Sequence, residues 1–147
     1  MAKQIKATGD FDVCLESADQ FYLVATWCQD RDAVDFLTNT MYPYAVNISF
    51  ACELYLKAIM IKRSSLSEFY KGHDLMALFN SLDASDQTAL EANFNTRYQA
   101  KSLQEFLNKN KEVFIDWRYA LENKVSVNIT GFNAFAESLR EYIINLK

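Results

Sequence analysis

Apolar residues recur along most of this chain at three- and four-residue intervals, the spacing of one face of an α-helix. The longest such run is Tyr42–Arg63, YPYAVNISFACELYLKAIMIKR. Pro43 suits the first turn of a helix, where a missing N–H costs nothing, and Lys62 and Arg63 suit the negative end of its dipole. Between Pro43 and Ile61 the strongly polar side chains are Asn47, Ser49, Glu53 and Lys57. Ser49, Glu53 and Lys57 are four apart and share one face. A helix apolar around most of its circumference belongs in a protein interior, and a Glu and a Lys in its middle argue against a membrane span. The pattern therefore predicts a central helix with one charged stripe.

The remaining elements follow from the same spacing. Asp10 or Asp12 can cap a first helix reaching to about Gln29, with Phe11, Leu15, Ala18, Tyr22 and Ala25 on its apolar face. The charged segment Gln29-Asp30-Arg31-Asp32 either ends this helix or forms its exposed last turn. After the connector SSLSEFYKG, closed by Gly72, a short helix begins in HDLMALFNSL with Asp74 in its first turn and Leu75, Leu78, Phe79 and Leu82 inward. Asp83 to Asp86 reads as a turn with cap residues. Gln87 to Gln99 is weakly amphipathic. Ser102-Leu-Gln-Glu105 matches a capping box and opens a stretch to about Glu122, interrupted or kinked at Asn108 to Lys111. Asn123 to Ile129 alternates like a strand but has no partner and reads as a loop. Thr130 caps a last helix carrying Phe132, Phe135, Leu139 and Ile143. The expectation is a single all-α domain over residues 1–147, an antiparallel bundle of five or six helices.

Composition narrows the classes. Only three Gly and one Pro are too few for the turns of a sandwich or barrel. A net charge of −4 argues against sequence-independent nucleic-acid binding by the whole surface, though not against a local basic patch. Cys14, Cys28 and Cys52 are odd in number and form no C-x-x-C pair; with one histidine in the chain, they read as reduced thiols rather than metal ligands, and no cofactor is implied. The first ten residues have no apolar stretch behind their lysines, so no signal peptide is expected, and the localisation expected is cytoplasmic.

Phosphate-binding loops, H-E-x-x-H and G-x-S-x-G are absent from the sequence. The candidates for chemistry are polar residues in apolar settings. Glu53 and Lys57 have the favourable i, i+4 order, either as a surface pair or as a buried pair needing further partners. His73, the one histidine, titrates near neutrality without help. Arg118 lies among aromatics and four residues before Glu122. Lys57, Lys62, Arg63 and Lys71 could form a basic lip beside His73, whereas charged connector residues commonly just meet solvent. Glu53, Lys57, His73 and Arg118 are expected to converge, with Glu53 as shared acceptor, because a Glu in an apolar helix needs donors.

Three segments, FACELYLKA at 50–58, KGHDL at 71–75 and FIDWRYALE at 114–122, in this order, resemble the HEPN (higher eukaryotes and prokaryotes nucleotide-binding) superfamily, and its small prokaryotic members most. The resemblance implies a helical bundle, a homodimer, association with RNA or nucleotides, and roles in toxin–antitoxin pairs or phage defence, with a cognate antitoxin or other protein as partner. Ribonuclease members carry an Arg followed four to six residues later by His on one helix. Here Arg63 is too far before His73, and Arg118 has no His after it. The resemblance therefore does not carry metal-independent ribonuclease activity across intact. Catalysis by His73 with Arg118, joined across the fold or a dimer interface, and a non-catalytic dimeric interaction module with a structural polar cluster both stay open.

Overall fold

The computed structural model describes residues 10–34, 41–64, 66, 68–111 and 128–146 of the chain. Among these there are six α-helices and no strand, as the periodicity requires. They are α1 (Phe11–Val34), α2 (Met41–Arg63), α3 (Leu75–Asn80), α4 (Ala84–Arg97), α5 (Leu103–Asn110) and α6 (Ile129–Leu146), with a 3₁₀ turn at Glu68–Lys71. The stretch expected from Ser102 to Glu122 is described as α5 and its C-cap Lys111; the rest of it lies outside the described residues.

Helix α2 is the centre. Tyr44, Ile48, Tyr55, Leu56, Ile59 and Met60 are all buried, α1 packs along α2, and α6, α3 and further elements close around them. By length and composition α2 could cross a bilayer, but 72% of its most apolar stretch is buried inside the fold, as in the core helix of a helical domain. Its charged stripe is interior too: Ser49 and Glu53 are fully covered.

Local signals explain the ends. Asp10 caps α1, its Oδ1 accepting from the backbone N–H of Asp12 at 2.8 Å, and α1 runs five residues past Gln29 to Val34, so the charged segment is helical. Asp74 is the N-cap of α3 rather than a first-turn residue, accepting from Ala77 N at 3.0 Å. Ser102 accepts from Glu105 N at 3.2 Å, the first half of the capping box. Further expectations need correction: Ala84 to Asp86, expected in a turn, already form the first turn of α4. The last helix is capped by Asn128, not Thr130: Asn128 Oδ1 accepts from Gly131 N at 2.9 Å while its Nδ2 donates to Tyr98 Oη at 2.8 Å. Ile129, expected in a loop, is thus already helical. The chain leaves α2 through Ser64, which takes a left-handed φ of 53°, a conformation the connector's glycine does not adopt.

Four phenylalanines join α4, α5 and α6. Phe106 meets Phe94, Phe132 and Phe135 with ring centroids 5.4, 5.0 and 5.9 Å away. Gly131 lets this ring approach the α6 backbone: a Cβ there would lie 2.7 Å from Phe106 Cε1. Gly→Ala inside a helix ordinarily stabilises by about 1 kcal/mol. Here the ring is held on three sides and cannot yield, so Gly131→Ala is expected to destabilise by about 1–3 kcal/mol, read as a lower urea midpoint at unchanged m-value.

Candidate functional site: the Glu53–Lys57–His73 group

Glu53 sits in the middle of α2 with a side chain only 1% exposed. Its helix supplies one donor: Lys57 Nζ reaches Glu53 Oε1 at 2.7 Å and is itself 12% exposed. The second donor arrives from the next element. Leu66, fully buried, pins the connector to the core; the 3₁₀ turn follows, and Asp74 then starts α3. This path lays His73 beside α2, with Nδ1 at 3.0 and 3.1 Å from the two Glu53 oxygens. A carboxylate only accepts, so the imidazole carries a proton on Nδ1, and in the neutral ring Nε2 is the lone-pair nitrogen. The His73 side chain is 39% exposed, so the group runs from a sealed carboxylate out to the surface.

The surroundings are apolar and aromatic. Lys57 Nζ lies 5.5 Å from the Tyr70 ring centroid. Cys14 donates to Leu54 O at 3.3 Å; burial raises its thiol to about 11, opposed by the Lys57 charge. Cys14, Cys28 and Cys52 form no disulfide. Among the described residues, His, Cys, Asp and Glu side chains do not gather in threes as a metal site would need.

Three of the four residues expected to converge therefore do so. Arg118, and with it Glu122, lies outside the described residues. The other candidates are dispersed. Asp74 is spent on its cap, and Lys62 Nζ lies over the Phe11 ring at 5.1 Å. Lys71 is exposed at the end of the 3₁₀ turn. Arg63 belongs to a different group, donating from Nε and Nη2 to the two Asp86 oxygens at 3.2 and 2.9 Å. Asp86 is fully buried and also accepts from Tyr142 Oη. These bonds hold the Arg63 guanidinium well above its ordinary pKa, and burial together with the Asp86 bond raises Tyr142. Sequence reasoning missed this second group because Asp86 sits in a polar run that reads as a turn, and Tyr142 in an apolar stripe.

Sequence reasoning also passed over Lys111. Its carbonyl accepts from Leu75 N at 2.8 Å, which ties the end of α5 to the chain two residues after His73. Nearby on α5, contact with the Lys101 ammonium lowers the Lys109 pKa. Compared with protein-family models, curated proteins and solved structures, the chain matches none.

Two expectations follow. Glu53→Ala leaves Lys57 charged and largely covered, so it should cost on the order of 3–5 kcal/mol; a loss below about 1 kcal/mol in chemical denaturation would mark the pair as merely solvated. At the second group, Arg63 is 38% exposed and Asp86 is not exposed at all. Removing Asp86 lets Arg63 turn to water, whereas removing Arg63 strands a buried carboxylate. Arg63→Ala should therefore destabilise more than Asp86→Ala in parallel urea titrations.

Proposed function

We propose that this chain is a HEPN-like, intracellular RNA- or nucleotide-associated domain of the toxin–antitoxin or phage-defence kind, acting as a homodimer, with the Glu53–Lys57–His73 group as its phosphate-facing site. One observation carries the reading. Two of the segments that resemble the superfamily meet in space: FACELYLKA supplies Glu53 and Lys57, KGHDL supplies His73, and the bonds between them are direct. A partly exposed imidazole, oriented by a buried carboxylate, is suited to bind phosphate or to move a proton. Lys71 beside it and Lys111 near α3 add positive charge without being spent on Glu53.

Binding is the primary claim. Metal-independent RNA cleavage needs a second cation at the phosphate, and Arg63, ten residues before His73, is committed to Asp86. That role falls to Arg118. The alternative, a non-catalytic dimeric interaction module, is favoured by the near-complete cover over Glu53 and Lys57, whose charges largely answer each other.

Fluorescence anisotropy with a single-stranded RNA of about 20 nucleotides separates the two. The RNA reading expects binding that weakens steeply with salt, and Lys71→Ala and Lys111→Ala should each weaken it and reduce the salt slope by about 1. His73→Ala should abolish any cleavage while the fold persists by circular dichroism. Absence of binding at low salt leaves the interaction module.

A further inference from the structure

Helix α1 presents a second surface, independent of the phosphate reading. Asp12, Leu15, Glu16, Asp19, Gln20 and Leu23 line an open groove of about 320 Å³. Just beyond it on the same helix Trp27 is 61% exposed, with Val24 and Val13 exposed beside the same face. Glu16, Gln20, Leu23 and Trp27 are spaced three and four apart, so the acidic and apolar parts form one stripe along the helix. Asp30 continues the acidic edge past Trp27. Asp19 is answered by Tyr55 Oη at 2.5 Å and by Arg140 at 3.7 Å. Among the described residues neither Asp12 nor Glu16 is paired with a cation.

We infer that this stripe docks a cationic amphipathic helix from another protein, its apolar side on Leu23, Val24 and Trp27 and its Lys or Arg residues on Asp12, Glu16 and Asp30. An exposed Trp with neighbouring aliphatics is the composition of an interface centre, and uncompensated carboxylates at both ends of the stripe select the sign of the partner. A second copy fits poorly: antiparallel pairing of two α1 helices about Leu23 sets Glu16 of one against Asp30 of the other, a like-charge opposition. The partner's apolar anchors at i, i+3, i+4 and i+7 would meet the exposed Leu23, Val24 and Trp27.

The test is calorimetric titration of the full chain with two synthetic 18-residue amphipathic helices of identical leucine pattern, one with lysine and one with glutamate on the polar face. The lysine peptide should bind at least tenfold more tightly than the glutamate peptide. Trp27→Ala and Glu16→Lys should each weaken it at least tenfold at unchanged melting temperature, while Asp83→Lys, the same charge change on α4, should leave it within twofold. Equal affinity for both peptides, no binding of the lysine peptide, or equal weakening by Asp83→Lys would overturn the inference. So would sedimentation showing a dimer that Trp27→Ala dissociates, which would make the stripe a copy-to-copy interface.

Discussion

A carboxylate buried in the central helix has to be met by donors, and much of the local architecture follows from how Glu53 is met. Lys57, one turn on, neutralises the charge but belongs to the same helix and so fixes nothing about the neighbours. His73 comes from another element, and for it to reach Glu53 the chain must turn sharply after Arg63 and fold back. Ser64 makes the turn in a left-handed conformation, and Leu66 anchors the return in the core. Asp74 then begins α3 directly after the histidine, and Lys111 O accepts the amide of Leu75, which draws the end of α5 to the same place. A buried ion pair is weak support for stability in itself, since desolvation offsets the attraction. Its effect here is positional.

The same logic applies to the whole of α2. A helix buried on nearly all sides gains apolar contact in almost any rotation about its axis, so hydrophobic burial alone sets its rotation weakly. Polar side chains set it strongly, because each misplacement strands a donor or acceptor. Tyr44 donates to Asn133 on α6 at 2.6 Å, and Asn133 in turn donates to Gln29 on α1 at 3.0 Å. Tyr55 donates to Asp19 on α1. Arg63 reaches Asp86 on α4, which also holds Tyr142 of α6. From Tyr44 to Arg63, α2 therefore carries polar links to α1, α4, α6 and the segment before α3, spread around its circumference.

The parts of this arrangement that were legible in the sequence are those written in local pattern. Three- and four-residue spacing locates the helices, and Ser102 with Glu105 marks the start of α5. The meeting of Glu53 with His73 was legible for a different reason: an acid in an apolar helix demands a donor, and the connector is short. Asp86 makes no such demand in the sequence. It stands in DASD, where an aspartate ordinarily caps or meets water, and its burial depends on Arg63 and Tyr142, 23 and 56 residues away in sequence. Asn128 was overlooked as a cap because its flanking residues alternate like a strand, and its second bond, to Tyr98, is again long-range. Tertiary contact overrode local pattern in each case. The resemblance to the HEPN superfamily stands on short segments, one of which, with Arg118 and Glu122, falls outside the described residues.

Charge counting shows where the proposed attraction for a phosphate would originate. Glu53 and Lys57 sum to zero, so with His73 neutral the group presents no net charge, and with His73 protonated it presents one positive charge at the partly exposed ring. On the proposed reading, a polyanion approaching this end of the molecule would be drawn first by cations not spent on Glu53, namely Lys71 and Lys111. Arg63 contributes little, since its charge is matched by Asp86. The buried carboxylate would then act on such a ligand only through His73, by holding Nδ1 and so fixing the tautomer of the ring. If the proposed reading holds, attraction and chemistry would be carried by different residues: the lysines would set how strongly phosphate is drawn and how steeply salt opposes it, and the Glu53–His73 bond would set what can be done once it arrives.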